Sequence, residues 1–173
     1  AGLDRRWGDA CQDASHALQR HYQKKGLEAA RMDPTCDGYS FWTFVDVIVQ
    51  QGKTYSAQGF LNAFWEPKSN GATPQEFAAF NSQTALLLKT EPAERIAVSG
   101  DRVKLDFWIS HYGNEPIPQG RLRWVLRQGG LALADGTLEA DQVELGSVRS
   151  LGKSELLVPD LAKPARAVLE VWL

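Results

Sequence analysis

The stretch Gly38–Asp46, GYSFWTFVD, constrains the fold more than any other part of the chain. Four of its nine residues are aromatic, and it has no charge before Asp46. This composition favours a strand over a helix. Strand alternation would place Trp42 and Asp46 on one face, and both faces would be mostly apolar. We therefore predict a parallel strand that is covered on both sides by the rest of a sheet or barrel.

A long amphipathic helix is predicted before this strand, over Ala1–Met32. Its apolar residues recur at helical spacing, and the opposite face is polar. They are Trp7, Cys11, Ala14, Leu18 and Tyr22. Asp33-Pro34 ends the pattern, because proline disfavours helix in the residue before it. We expect residues 1–80 to pack their apolar faces on the second half of the chain or on a second copy.

The segment after the strand, Val47–Asn81, has little regular pattern and many neutral amides. Loops of this length inside a compact domain are usually functional. Gln50, Gln51, Gln58 and Asn62 are side chains of the kind that bind sugar hydroxyls, although any polar loop contains such residues. Thr73 followed by Pro74 and Glu76 predicts the start of a short helix.

Short alternating strands are predicted from Thr84 onward, separated by Gly-rich and Pro-rich turns. Such spacing is typical of an antiparallel sandwich. The predicted strands are Thr84–Thr90, Arg95–Val98, Arg102–Ser110, Arg121–Gln128, Leu131–Ala134, Gln142–Ser150, Glu155–Pro159 and Ala165–Leu173. Trp124 lies where an immunoglobulin-like sandwich has its third-strand tryptophan, without the accompanying cysteine pair.

The last predicted strand, Ala165–Leu173, is strongly apolar and would be the sixth main strand of a seven-strand sandwich. We expect the chain to be a piece of a longer protein, cut at both ends. A long apolar edge strand is a template for pairing with another chain. Self-association through Ala165–Leu173 is therefore predicted.

Composition excludes several classes of partner. The chain has 173 residues and a net charge of −2, so no basic bias indicates nucleic acid or a membrane surface. No apolar run approaches the ~20 residues of a membrane span. Cys11 and Cys36 are expected to be reduced, buried thiols. The three histidines have no metal-ligand spacing, and no phosphate-binding loop is present, so no metal or cofactor is expected.

Three segments together resemble bacterial family-2-like glycoside hydrolases of the β-galactosidase type. They are GYSFWTFVD, then QGFLNAFWEPKSNGATPQEFAAFNSQTALLL, then VKLDFWISHYG. In that family the eighth strand of a (β/α)8 barrel runs into a loop, a short helix and a β-sandwich. The resemblance implies residues 1–82 as the end of a barrel and 83–173 as an immunoglobulin-like sandwich that lacks its last strand.

The same resemblance implies a function for a longer parent protein. The parent would be a retaining hydrolase that cleaves glycosidic bonds of oligo- or polysaccharides, in the periplasm or outside the cell. Both catalytic carboxylates of such enzymes lie on earlier barrel strands. The chain would therefore hold no catalytic residue, bind no metal and be inactive alone.

Four residues are candidates for binding a carbohydrate in that parent, and each has an ordinary structural alternative. They are Trp42, Asp46, Gln58 and Trp65. Trp42 would lie under a sugar ring or pack in the strand. Asp46 would bind a hydroxyl or cap the next loop. Trp65 would line the sugar site or pin the loop, and Gln58 is also compatible with an ordinary polar loop.

Two readings from other functional classes stay open. One is a non-catalytic carbohydrate-binding or scaffolding module, in which the sandwich works and Trp108 is an exposed platform beside Arg102, Lys104 and Asp106. The other is an immunoglobulin-like adhesion domain, which leaves the pattern of residues 38–81 unexplained.

Overall fold

The structure is a computed structural model that describes residues 4–48, 55–91 and 96–173. These residues divide into two units, Ala1–Ser82 and Gln83–Leu173. Gln50, Gln51 and Arg95, which belong to the predicted loop and the second predicted strand, lie outside the described residues. Neither helix in the described part of the chain has the length and apolar character that crossing a membrane requires.

The first unit contains two helices and two very short strands. They are α1 (Arg5–Met32), β1 (Val47–Ile48), β2 (Tyr55–Ser56) and α2 (Pro74–Asn81). The side chain of Asp4 caps α1 by accepting a hydrogen bond from the backbone N–H of Arg6 at 3.2 Å. Strands β1 and β2 pair antiparallel with each other.

The predicted parallel strand over Gly38–Asp46 is wrong. Within that stretch only Val45 makes a β-bridge, to Leu61, and Trp42 is 77% exposed. Phe41 and Phe44 contact the ring of Phe60, with centroids 4.8 and 5.9 Å apart, but Phe41 is only half-buried, and Tyr39, Trp42 and Phe44 remain exposed. An irregular segment therefore accommodates this aromatic-rich sequence without burying most of its rings.

The predicted fold class is accordingly wrong. No part of a (β/α)8 barrel is present in the described residues, which form small, open, antiparallel sheets with one long and one short helix. The core of the first unit is a cluster of phenylalanines rather than barrel layers. Phe77 lies 4.5 Å from Phe60 and 5.4 Å from Phe80 between ring centroids, and Phe80 is fully buried.

Helix α1 is oriented opposite to the usual rule for amphipathic helices. Its apolar stripe is exposed: Trp7 is 65%, Leu18 56% and Tyr22 62% accessible. The polar side of the helix, represented by His16 and Gln19, makes the contacts with residues 57–69. The helical phase was predicted correctly, whereas the side that faces inward is the polar one.

The second unit consists of six strands in two three-stranded antiparallel sheets, with orders β3-β4-β7 and β6-β5-β8. The strands are β3 (Thr84–Glu91), β4 (Arg102–His111), β5 (Gly120–Gln128), β6 (Leu131–Ala140), β7 (Ser147–Leu157) and β8 (Val168–Trp172). Residues 96–98 are not a strand, and the two predicted strands around residues 142–159 are the single strand β7.

Alternating side chains of β4 and β5 supply the centre of one apolar cluster that both sheets share. Phe107 on β4 stacks on Trp124 on β5 with ring centroids 6.5 Å apart. Gly136 lies opposite Trp124 in the β5–β6 register, and a Cβ atom there would come within 2.7 Å of the indole ring. A glycine at 136 is therefore what lets the tryptophan lie flat beneath the sheet.

Strand β8 is an edge strand, hydrogen-bonded to β5. It is shorter than the predicted Ala165–Leu173, and Arg127 on β5 binds its Glu170 at 2.9 Å. Self-association through this stretch stays a prediction.

The capping box at the start of α2 stabilises the first unit through two reciprocal hydrogen bonds. Thr73 Oγ1 accepts from the backbone N–H of Glu76 at 3.1 Å, and Glu76 accepts from the backbone N–H of Thr73 at 2.9 Å. We expect Thr73→Ala to lower the free energy of unfolding by about 1 kcal/mol, because a backbone donor at the helix start loses its partner. Chemical denaturation measures this.

The same box predicts a pH dependence. The hydrogen bond from the Thr73 backbone N–H, assisted by Arg20, lowers the pKa of Glu76. Because the pKa of Glu76 is lower in the folded state, its ionised carboxylate stabilises the fold fully at a pH above the unfolded-state pKa of about 4.3. This stabilisation is lost as the pH falls through the folded-state pKa. The stability difference between wild type and Glu76→Gln should therefore be present at neutral pH and vanish in acid. A difference that persists at low pH would contradict this.

Gly136 gives a second stability prediction. Gly136→Ala should destabilise the second unit by about 1–3 kcal/mol, because the new methyl group overlaps the buried indole of Trp124. Gly130→Ala is the matched control, since nothing lies within 4 Å of its added Cβ. Equal unfolding midpoints for the two variants would show that the close approach at Gly136 is incorrect.

Candidate functional site

A cavity of about 680 Å3 lies in the first unit, between α1 and the irregular segment that follows β2. Polar side chains dominate its lining. The lining residues are Gln12, Ser15, His16, Gln19, Asp46, Ala57, Gln58, Asn62, Pro67, Lys68 and Ser69. Ligand sites in proteins commonly enclose ~300–1,000 Å3, so this cavity has the size of a small-molecule site.

Helix α1 supplies one wall through four polar residues, Gln12, Ser15, His16 and Gln19. Their spacing of i, i+3, i+4 and i+7 places them on one face of the helix. This face adjoins the exposed apolar stripe, with Ser15 at the boundary between the two, so one orientation of α1 determines both surfaces.

A buried ion pair forms the floor of the cavity. Lys68 Nζ lies 2.8 Å from Asp46 Oδ1, and the two side chains are 4% and 2% exposed. Lys68 also donates to the carbonyl oxygen of Ala57 at 3.0 Å and to Gln19 Oε1 at 3.4 Å, so all three ammonium hydrogens have acceptors. Asp46 Oδ1 accepts a further bond from the Gly59 backbone N–H at 2.8 Å.

Gly59 is required where the chain passes Asp46. A Cβ atom at this position would lie 2.4 Å from the backbone nitrogen of Asp46 and 2.8 Å from the carbonyl oxygen of Leu61. Both distances are far below van der Waals contact. The glycine therefore allows the backbone approach that brings its N–H to the carboxylate.

Gln19 and His16 fix the opposite wall of the cavity by bonding to backbone carbonyls. Gln19 Nε2 donates to the carbonyls of Gln58 at 2.5 Å and Gly59 at 3.2 Å. His16 Nδ1 lies 2.7 Å from the carbonyl oxygen of Ser69, and a carbonyl only accepts, so Nδ1 carries the proton. In the neutral ring, Nε2 is then the acceptor atom.

Two exposed aromatic side chains lie on the turn from Asn62 to Glu66, which connects the lining residues Asn62 and Pro67. Asn62 Oδ1 accepts from the backbone N–H groups of Phe64 at 2.8 Å and Glu66 at 3.0 Å. Phe64 and Trp65 are 79% and 69% exposed, and Trp65 has a φ of +65°. A bulky residue rarely adopts this left-handed conformation, so the asparagine cage holds the tryptophan outward at a local energetic cost.

The four candidates from the sequence fare differently in the structure. Asp46 and Gln58 line the cavity, and Trp65 belongs to the turn between the lining residues Asn62 and Pro67. Trp42 is highly exposed and is not among the lining residues. Asp46 also does what its structural alternative stated, because it anchors the following loop through Gly59.

Sequence reasoning missed Lys68, Gln19 and His16. The polar spacing on α1 was the available signal for the helix residues. Lys68 gave none, because its partner Asp46 is 22 residues away in the sequence.

Trp108 is not an exposed platform, because it is half-buried and Lys89 Nζ lies 3.7 Å above the centre of its ring.

The expectation of buried thiols is wrong, since Cys11 is exposed and Cys36 is half-buried. Both cysteines are free. Within residues 4–48, 55–91 and 96–173, no cluster of three or more His, Cys, Asp or Glu has the arrangement of a metal site.

Comparisons with known proteins found a family model similar to part of the second unit. Residues 101–173 match the model of a domain of unknown function, DUF8488. No curated protein matches the chain. One solved structure with similarity is the Pseudomonas fluorescens alkylpurine DNA glycosylase AlkC, bound to DNA that contains an abasic site analogue. It is 15% identical over 52% of this chain and 27% of that chain, with a TM-score of 0.35.

The expected resemblance to family-2-like glycoside hydrolases is wrong. The family model that matches is a domain of unknown function and not a glycoside hydrolase family 2 model, and the described residues contain no barrel strands. A glycosidase is therefore not supported. The similarity to AlkC is too low to carry an argument about function.

The buried ion pair yields a stability prediction. Lys68→Met should lower the free energy of unfolding by about 3–5 kcal/mol, because it leaves the Asp46 carboxylate buried without its counter-ion. Adding Asp46→Asn should recover a large part of that loss, since the unpaired charge disappears. Urea unfolding of the single and double variants measures both effects.

Lys104→Met is the matched control for this cycle. Lys104 pairs with Glu91 at 2.9 Å, but the two side chains are 71% and 74% exposed. Water screens such a pair, so the control should unfold like the wild type. A Lys68→Met variant that behaves like Lys104→Met would mean that the pair is not buried.

Proposed function

We propose that the protein is a non-catalytic carbohydrate-binding module whose ligand site is the cavity of the first unit. The observation that carries the proposal is the combination of a polar cavity with outward-facing rings of Phe64 and Trp65 on the adjoining turn. Sugars combine hydroxyl groups, which need donors and acceptors, with apolar ring faces that stack on aromatic side chains.

The electrostatics of the cavity favour a neutral ligand. The charged residues in the lining are Asp46 and Lys68, which neutralise each other within the floor. A charged ligand would have to break this pair or bring an uncompensated charge into the cavity, which is costly. A neutral, polyhydroxylated ligand avoids that cost.

The remaining lining groups suit hydroxyl recognition. Gln12 brings an amide, Ser15 a hydroxyl and His16 an imidazole acceptor to the same face of α1. Each of these groups exchanges hydrogen bonds with water for hydrogen bonds with a ligand of similar polarity. The stacking surface on Trp65 then provides the apolar part of the binding energy.

A non-catalytic role is consistent with the state of the cavity's carboxylate. Asp46 is held by Lys68 and by the Gly59 N–H, so its function in the fold is structural. Hydrolysis of a glycosidic bond by two carboxylates requires a pair separated by ~5–10 Å across the bond, depending on mechanism. Among the described residues, Asp46 is the one carboxylate that lines the cavity, so the lining does not contain such a pair.

Calorimetric titration of the intact chain with neutral oligosaccharides tests the proposal. We expect micromolar to millimolar binding, a loss of at least about tenfold in affinity for Trp65→Ala, and a comparable loss for His16→Ala. Chromatography of the bound sugar after incubation should recover it intact.

Trp172→Ala is the matched control for Trp65→Ala. Trp172 is a partly exposed tryptophan of the second unit, 47% accessible, and its removal should leave sugar affinity unchanged. Equal losses in the two variants, or failure of every neutral glycan to bind at millimolar concentration, would refute the site.

A further inference from the structure

Helix α1 presents an apolar stripe that the first unit does not bury. We define the stripe as Trp7, Cys11, Ala14, Leu18 and Tyr22, all exposed. Consecutive members are three or four residues apart, so they form one continuous ridge along the helix. The three large side chains are each more than half accessible to solvent.

The opposite face of α1 is already committed to the unit's interior. Gln19 and His16 bond to the carbonyls of residues 57–59 and 69, and Arg20 pairs with Glu76 on α2 at 3.1 Å. The helix therefore cannot turn its stripe inward without losing these bonds. Exposed apolar surface of this kind marks a contact with a partner.

We propose that the stripe binds the same stripe of a second copy of this chain, with the two α1 helices antiparallel about a two-fold axis near Ala14. The sizes of the side chains are self-complementary in this arrangement. Trp7 of one copy meets Tyr22 of the other, and Cys11 meets Leu18. The small Ala14 lies at the axis, where the helices approach most closely.

The helix dipoles select the antiparallel orientation, because two parallel α1 helices would place like partial charges side by side at both ends. The charge of Asp4 does not contribute to this choice, since Arg6 of the same copy binds it at 2.6 Å.

The area is sufficient for a weak, specific dimer. Four aromatic side chains of ~150–250 Å2 each, largely exposed in the monomer, would contribute several hundred Å2. The two Leu18 side chains and the small residues bring the total towards the ~1,000 Å2 that a specific interface needs. Strand β8 is a weaker candidate for self-association, because it is short and contains the charged residue Glu170, which pairs with Arg127 on β5.

Sedimentation equilibrium of the full chain over micromolar concentrations tests the proposal. The wild type should form a dimer, and Leu18→Glu should be monomeric throughout that range. Leu131→Glu is the matched control, since Leu131 is an exposed leucine of the second unit, 65% accessible, and it should dimerise like the wild type. Circular dichroism confirms that both variants are folded.

Oxidative cross-linking tests the register, in chains in which Cys36→Ser removes the other thiol. In the antiparallel dimer the two Cys11 residues are offset by about 10 Å along the helix axes, which is too far for a disulfide. The double change Cys11→Ser and Ala14→Cys moves the thiol to the two-fold axis of the dimer, where a disulfide between the two copies should form readily.

Three results would overturn the proposal. A wild-type chain that is monomeric over the whole range excludes the dimer. A dimer that survives Leu18→Glu lies elsewhere, for example at β8. Disulfide formation at Cys11 rather than at position 14 would show a parallel pair or another register.

Discussion

The buried ion pair between Asp46 and Lys68 is the interaction on which the first unit depends. Among the described residues of this unit, β1 and β2 form the one pair of strands, and the segment between β2 and α2 lacks a regular ladder for its backbone groups. Lys68 and Gln19 supply donors to its carbonyls, and Asp46 supplies an acceptor to Gly59. Burying two charges is costly, and these additional hydrogen bonds are what make the pair tolerable.

The inverted orientation of α1 follows from this network. The backbone carbonyls of the segment between β2 and α2 need hydrogen-bond donors from neighbouring side chains. The polar face of α1 provides such side chains at positions i, i+3, i+4 and i+7. The apolar stripe must then point outward. The cavity and the exposed stripe are therefore two consequences of one orientation, and a change that rotated α1 would alter both at once.

Local pattern predicted the elements better than their surroundings. The cap of α2 at Thr73 and most strands of the second unit followed from residue spacing. The aromatic stretch from Gly38 to Asp46 misled, because composition alone does not distinguish a buried strand from an irregular segment folded around Phe60. The site was only half predictable. Asp46 ends the aromatic stretch and Gln58 lies in the polar loop, whereas Lys68 and Gln19 matter through contacts between residues 22 and 49 positions apart.

The two units are stabilised in different ways, and this bears on how ligands would act on them. The second unit has backbone ladders and a shared apolar core, so its stability does not depend on side chain–backbone bonds in a loop. The cavity walls of the first unit depend on such bonds, which open more readily than a sheet. A ligand that binds only the closed cavity adds its binding free energy to the stability of that unit alone. Occupancy of the cavity should therefore protect the backbone amides of residues 57–69 from exchange while leaving those of β4 and β5 unchanged.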